Sequence, residues 1–227
     1  SWGSRKSIIA SADQSLTRLG LDYVDIFYSH RPDPETPAEE TALALDQLVR
    51  EGKTLYVGIS NYNGAQTTEI AKIFKTLGTP FIIHQPRYSM FDRHIERDLL
   101  PVLKQEAKSA VVYSPLAQGL LTDRYLNGIP ADSRAAKSSS PFLKVGQVEK
   151  TLDTVKQLNK VAIHRGQTLA EMALAWDLRQ PEIASVLVGA SRPEQLIDNI
   201  KALKALNFSD ADEKAIDAIL IAHEKND

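Results

Sequence analysis

The sequence predicts an α/β protein in which helices cover a parallel sheet. Three observations support this class: β-rich runs alternate with amphipathic helical runs, polar residues follow every strand-like run, and no G-x-G-x-x-G turn marks a dinucleotide-binding open sheet. An open doubly wound sheet and a (β/α)8 barrel both fit the alternation. The polar strand ends favour the barrel, because barrel active sites are built at that edge.

Five strands are predicted, separated by helical runs. The first helix has apolar residues at helical spacing and ends at Gly20, and the second is expected to begin with Thr36 as its N-cap and Pro37 as its first residue. A further helix around Leu169 and Trp176 precedes the fifth strand. The predicted strands are 23–28, 55–59, 81–85, 110–113 and 185–188, and the last two helices are 193–206 and 210–223.

One long segment, 122–146, interrupts this alternation. It contains Gly128, Pro130 and the run 138–141 (SSSP), and it shows little hydrophobic periodicity. A loop of that length within a domain is usually functional or disordered. We therefore treat it as a candidate functional loop.

Composition excludes several classes of protein. The 227 residues carry a net charge of −2 and include no cysteine, so disulfides, thiolate zinc sites and a cysteine nucleophile are excluded, and no metal site is predicted. No apolar run has the length of a membrane span, and the near-neutral charge gives no reason to expect nucleic acid. Ser1 is not a methionine and no signal peptide follows it, so the chain is expected to begin inside a larger protein.

Five motifs cluster at the predicted strand ends. In chain order they are 21–33 (LDYVDIFYSHRPD), 58–62 (GISNY), 85–89 (QPRYS), 113–119 (YSPLAQG) and 188–195 (VGASRPEQ), the last completed by Asp198 and Asn199. With these motifs in this order, the chain resembles the aldo-keto reductases. It is most similar to the branch that holds the potassium-channel β-subunits and the bacterial L-glyceraldehyde 3-phosphate reductases.

The resemblance implies an incomplete (β/α)8 TIM barrel. The chain would supply strands 4–8 with their helices as one domain, residues 1–227, and the first three βα units would be absent. The family reduces small aldehydes and ketones with hydride from NADPH, and here the substrate could be glyceraldehyde 3-phosphate or a methylglyoxal-like aldehyde. The acid machinery of Tyr, Lys and Asp would lie in the missing region. Only the catalytic histidine is present, as His30, so the isolated chain is expected to be inactive.

The resemblance also assigns cofactor residues. Ser60, Asn61 and Gln85 would hold the nicotinamide carboxamide, for which neutral amide and hydroxyl partners are suited, and Tyr113 would stack on the ring. Without the resemblance, strand-end capping and core packing explain these four residues.

The loop of Ser114, Pro115, Leu116, Ala117, Gln118 and Gly119 would wrap the pyrophosphate, and Arg124 and Arg134 would reach the phosphates from 122–146, which becomes a cofactor lid.

The last motif combines two roles. Ser191 and Glu194 have the spacing of a capping box, and Arg192 at a helix N-terminus suits the adenosine 2′-phosphate. The resemblance adds further cofactor contacts at Gly189, Gln195, Asp198 and Asn199. Tyr23 and Tyr28 have the spacing of packed strand residues and are not expected to replace the missing acid.

Two alternatives stay open beside the reductase. One is an NADPH-binding regulatory module like the channel β-subunits, without turnover, and the other is an inactive truncated remnant. A cytoplasmic location and a homo-oligomer, a tetramer or larger, are expected from the resemblance. Nucleic-acid and membrane partners are not expected.

Overall fold

A computed structural model of the chain describes residues 2–131, 133, 135, 136 and 143–225. The chain divides into two compact units. The first unit comprises Ser1–Pro86 and His94–Val111, and the second comprises Arg87–Arg93 and Val112–Asp227. The expectation that the whole chain is one domain stays a prediction.

The first unit alternates helices and strands as predicted. Its elements are α1 (Arg5–Leu19), β1 (Val24–Ser29), α2 (Ala38–Arg50), β2 (Thr54–Ser60), α3 (Gly64–Leu77), β3 (Phe81–Gln85), α4 (Ile95–Gln105) and β4 (Ser109–Tyr113), of which the last two residues of β4 belong to the second unit. Glycines in the left-handed conformation end α1 and α3, namely Gly20 (φ 67°) and Gly78 (φ 71°).

The strands of the first unit pair in parallel. Tyr28 lies opposite Gly58, and Ser60 lies opposite Gln85. The carboxyl ends of β1, β2 and β3 therefore lie side by side. Within the sheet these strands follow the chain order β1-β2-β3-β4. A buried apolar core binds α1, α2 and α3 to these strands, and it includes Ile8, Ala12, Leu45, Leu48, Val57, Ile59, Ile70 and Phe74.

The second unit contains the remaining elements. These are two short 3₁₀ turns (Ala117–Gly119 and Asp123–Tyr125), α5 (Val145–His164), α6 (Leu169–Leu178), β5 (Ile183–Leu187), α7 (Pro193–Ile200), a 3₁₀ turn (Lys201–Lys204) and α8 (Asp210–Glu224). Seven of the ten residues of α6 are buried, and its Trp176 stacks on Tyr88 with 5.4 Å between ring centroids. The Arg179 guanidinium lies 3.7 Å from the Trp176 ring centroid, on which it makes a cation–π contact.

Several boundaries differ from the predictions. Thr36 does not cap α2: its hydroxyl donates to the Asp33 carboxylate at 2.9 Å, and Pro37 occupies the cap position without a side-chain bond. The helix predicted over 193–206 ends at Ile200 and continues only as a 3₁₀ turn. Helix α5 was not predicted from its pattern, although it is the longest helix among the described residues.

No helix in the described part of the chain is long and apolar enough to cross a membrane.

Candidate functional site

Four of the predicted site residues meet at the ends of β1, β2 and β3. Ser60 Oγ donates to the Gln85 carbonyl at 2.6 Å, and Asn61 Nδ2 donates to Ser60 Oγ at 3.0 Å. The same amide nitrogen of Asn61 lies 3.0 Å from the His30 carbonyl oxygen, to which it donates. The first unit therefore brings His30, Ser60, Asn61 and Gln85 into one hydrogen-bonded group.

A sharp turn after β2 places Asn61 in this group. Asn61 has φ 61°, in the left-handed region that asparagine tolerates better than most residues. Two residues later, Asn63 caps α3: it accepts from Gln66 N at 2.9 Å, and the Gln66 side chain accepts from Asn63 N at 3.0 Å. The helix start is thereby fixed by a capping box, and the turn before it is short.

A cavity of about 380 Å³ adjoins His30 in the first unit. It is formed by the beginning of α1 and by the end of β1, and its lining residues are Trp2, Ser7, Ile8, Ser11, Phe27, Tyr28, Ser29, His30 and Arg31. His30 itself is exposed. Its imidazole can therefore meet a molecule that enters the cavity.

Two residues that line this cavity, Tyr28 and Arg31, were not among the predicted site residues. A Cβ on Gly58 would lie 2.5 Å from Tyr28 Cε1, so the tyrosine ring rests directly on this glycine. The Tyr28 hydroxyl hydrogen-bonds the Gln85 side chain; burial raises the pKa of this phenol, and the Gln85 bond lowers it by less. Arg31 follows His30, is exposed, and makes no hydrogen bond or ion pair with any described residue.

Both residues carried a sequence signal. Tyr28 lies two positions before His30, and alternate residues of a strand share a face. The strand packing predicted for Tyr28 is accompanied by its hydrogen bond to the Gln85 side chain. For Arg31 the signal was a cation next to the predicted catalytic histidine.

In the second unit, the loop after β4 has an unusual backbone. Ser114 (φ 58°), Ala117 (φ 44°) and Gln118 (φ 61°) all have positive φ. Leu116, with φ −95° and ψ 16°, precedes the left-handed Ala117. A right-handed residue followed by a left-handed one turns successive backbone N–H groups toward one concave side, which is the geometry of an anion-binding nest. The Ala117 N–H already donates to the Ser114 carbonyl oxygen at 3.0 Å, so the phosphate-binding role predicted for 114–119 stays a prediction. Tyr113 lies half-buried at the start of this loop.

Part of the predicted lid segment is packed. Tyr125 is 2% exposed, and it lies in a small apolar cluster with Ala135, Leu143 and Val148, the last of which belongs to α5. Arg124 is half-buried one residue before Tyr125. Arg134 lies outside the described residues, so its predicted role has no structural description.

The predicted capping box at α7 named the wrong residue as the one that reaches back to the helix start. Gln195, not Glu194, reaches back: its Oε1 accepts from Ser191 N at 2.8 Å and from Arg192 N at 3.2 Å. The reason is that α7 begins at Pro193 with Arg192 as its N-cap, so the third helical residue is Gln195.

The other predicted residues near α7 are accessible. Gly189, Ser191 and Arg192 are exposed, and Asn199 is half-buried. Asp198 pairs with Lys201 Nζ at 2.6 Å. In the described residues, no group of three or more His, Asp, Glu or Cys side chains could hold a metal ion.

A comparison with protein families identifies the class. Residues 1–221 match the model of the aldo/keto reductase family. The chain belongs to this family, and the resemblance inferred from its motifs is confirmed.

Two groups of relatives match closely in sequence. The L-glyceraldehyde 3-phosphate reductase of Escherichia coli K12 is 45% identical over 230 residues, which cover 100% of this chain and 66% of that protein. A putative voltage-gated potassium channel subunit beta of Schizosaccharomyces pombe is 38% identical over 211 residues, covering 90% of this chain and 61% of the relative. The chain thus spans just under two thirds of the curated relatives it matches.

Solved structures confirm the fold prediction. A glycerol dehydrogenase from Gluconobacter oxydans superposes with a TM-score of 0.80 and 30% identity over 97% of this chain and 65% of its own. A thermostable aldo-keto reductase in complex with epalrestat gives a TM-score of 0.73 and 29% identity over 95% of this chain and 67% of that one. The five-stranded α/β sheet is therefore part of the aldo/keto reductase barrel fold.

Proposed function

We propose that the protein is an NADPH-dependent aldo-keto reductase that reduces small aldehydes by hydride transfer. The observation that carries the proposal is the hydrogen-bonded group of His30, Ser60, Asn61 and Gln85, in a chain that belongs to this family. The amide and hydroxyl groups of the last three match the donors and acceptor of a carboxamide. His30 is the residue that would orient and polarise the substrate carbonyl.

The resemblance also assigns cofactor contacts to residues of the second unit. Tyr113 would stack on the nicotinamide, and the nest at 114–119 would take the pyrophosphate through backbone N–H groups.

Arg124 and Arg134 would reach the phosphates from the 122–146 lid, while Gly189, Ser191 and Arg192 would take the 2′-phosphate. Gln195, Asp198 and Asn199 would lie against adenosine. When bound, NADPH would supply the hydride.

The proton would have to come from elsewhere. A carbonyl accepts hydride readily only if its oxygen receives a proton or strong hydrogen bonds as the charge develops. Tyr28 is a poor donor, since burial raises the pKa of its phenol. By the resemblance, the family's Tyr, Lys and Asp would lie in the portion of the relatives that this chain does not match, so we propose that the 227-residue chain turns over negligibly.

The direct test is an aldehyde reduction assay on the purified chain. NADPH fluorescence should change on addition of protein, which reports binding. NADPH absorbance should then stay constant when methylglyoxal or glyceraldehyde 3-phosphate is added. Steady NADPH oxidation that depends on His30, and is lost in His30→Ala, would contradict the negligible turnover of the chain while supporting the reductase chemistry.

Arg31 favours a phosphorylated aldehyde. Its guanidinium lines the His30 cavity without a partner in the described residues, and guanidinium forks match phosphate oxygens. The relative from Escherichia coli is named for a phosphorylated aldehyde, glyceraldehyde 3-phosphate. A phosphorylated aldehyde therefore agrees with the positive charge that Arg31 brings to the cavity.

Replacing Arg31 tests this substrate class by binding alone. Arg31→Ala should weaken binding of glycerol 3-phosphate about tenfold, as measured by NMR titration, because one charge-assisted phosphate contact is lost. Arg97→Ala, at an exposed arginine on α4, is the matched control and should leave the affinity unchanged. Equal losses in the two variants would rule out a specific phosphate contact.

A regulatory module is the second candidate. The observation in its favour is the set of relatives named as potassium channel β-subunits, at 38% identity. This candidate predicts NADPH binding and co-purification with a membrane protein. The cytoplasmic location and the homo-oligomer remain predictions of both candidates.

A further inference from the structure

Tyr62, which follows β2, makes hydrogen bonds to residues at the ends of β1 and β3 in the first unit. Its hydroxyl lies 2.9 Å from Ser29 Oγ at the end of β1. Its carbonyl oxygen lies 3.0 Å from His84 Nε2 on β3. Since Tyr62 follows β2 by two residues, one side chain and its own backbone fix β2 against both neighbours.

These bonds are shielded from water. Tyr62 is 6% exposed, Ser29 7% and His84 0%. Because the Tyr62 carbonyl only accepts, the His84 ring must carry its proton on Nε2, which leaves Nδ1 buried and without a partner among the described residues. Hydrogen bonds in such low-dielectric surroundings are strong, and breaking one leaves a buried polar group unpaired.

Tyr62 is next to Asn61 in the chain and bonds to the residue before His30, but it is not itself one of the proposed site residues. Asn61, its predecessor, adopts the left-handed conformation and donates to the His30 carbonyl. Ser29, its hydroxyl partner, directly precedes His30. Tyr62 itself does not line the cavity. A displaced Tyr62 would therefore move Asn61 from one side and His30 from the other.

We propose that Tyr62 is a positioning residue that sets the geometry of His30 and Asn61 through its bonds to Ser29 and His84. The consequence for binding rests on the proposed function, since it assumes that Asn61 contacts the nicotinamide carboxamide. The effect of Tyr62 on the positions of His30 and Asn61 does not depend on the proposed function. Tyr62 acts through its neighbours and touches neither substrate nor cofactor.

The test removes one hydroxyl. In Tyr62→Phe, the side-chain amide signals of Asn61 and the imidazole signals of His30 should shift in NMR spectra, and NADPH affinity should fall about threefold to tenfold. Tyr88→Phe is the matched control: Tyr88 is also fully buried, and its hydroxyl accepts from Arg179 at 3.2 Å. The control should lose stability but keep the Asn61 and His30 signals and the NADPH affinity.

Ser29→Ala removes the same bond from the other side. It should cause the same shifts as Tyr62→Phe, and the double variant should be no worse than either single one. This variant keeps the test readable if Tyr62→Phe does not fold. Unchanged Asn61 and His30 signals in Tyr62→Phe or in Ser29→Ala would overturn the proposal.

The two hypotheses fail separately. If the unsubstituted chain does not bind NADPH but the Asn61 and His30 signals move in Tyr62→Phe, the positioning role stands and the proposed function fails. If NADPH binds and both variants retain full affinity with unmoved signals, the positioning role fails alone.

Discussion

His84 is completely buried in β3, and burial makes the folded state sensitive to acid. Desolvation lowers the pKa of its imidazole from 6.5 to about 4, against the smaller opposing effect of the Tyr62 carbonyl bond. Between these values the unfolded chain takes up a proton that the folded chain does not. The contribution of His84 to stability is therefore full above about pH 6.5 and is lost as the pH drops toward about 4.

The size of this effect can be measured with His84→Gln, whose amide can still donate to the Tyr62 carbonyl. Between pH 7 and pH 4 the unsubstituted protein should lose about 3 kcal/mol more unfolding free energy than the variant. Urea unfolding at both pH values measures the difference. Parallel losses in the two proteins would show that His84 does not dominate this part of the acid response.

Single residues also show which parts of the candidate site could be predicted from the sequence and which could not. His30, Ser60, Asn61 and Gln85 were predicted together because they belong to family motifs, and the structure brings them together. Tyr62 was inside one of those motifs but had no assigned role, since its two bonds join residues that are more than twenty positions away. Distant hydrogen-bond partners leave no periodic signal in a single sequence.

At the scale of elements, one arginine joins the end of α5 to the start of α8. Arg165 donates to Asp212 at 2.8 Å and to the carbonyls of Ala205 (3.2 Å) and Asn207 (3.1 Å). Its guanidinium lies 3.7 Å from the Phe208 ring centroid, and the side chain is only 6% exposed. The fork also donates through Nε to Gln167 Oε1 at 2.9 Å, so it serves four acceptors in a fixed plane, one more than the three N–H groups of a lysine ammonium could serve.

Arg165→Lys should therefore destabilise the protein although it keeps the charge. We expect a loss of about 2 kcal/mol in unfolding free energy, because partly buried acceptors lose their donors. Urea unfolding measures the loss, and Arg18→Lys, at an exposed position on α1, is the control. A loss no larger than that of the control would mean that the Arg165 contacts contribute little.

Helix ends show what local sequence can predict. Gly20 and Gly78 end helices as their type predicts, because glycine tolerates the left-handed conformation. Thr36 and Glu194 were wrong as cap residues. In both cases the N-cap lies one residue after the expected position. At α7 the Gln195 side chain accepts from the free backbone N–H groups, whereas at α2 the cap residue Pro37 offers no side-chain bond.

At the scale of the molecule, alternation of strands and helices predicted the α/β class and all five strands. Each βα unit has a local period. The polar strand ends were compatible with a barrel, and the resemblance of the motifs to the aldo-keto reductases indicated it. The division into two compact units was not predicted. It depends on the density of contacts between distant segments, which composition and periodicity do not report.

The central claim is that the chain carries an NADPH site, and calorimetric titration tests it most directly. NADPH should bind saturably below about 1 mM and about tenfold more tightly than NADH. Arg192→Ala should abolish that preference, while Arg18→Ala should keep it. Absence of binding at about 1 mM NADPH, in a chain that circular dichroism shows to be folded, would contradict the account.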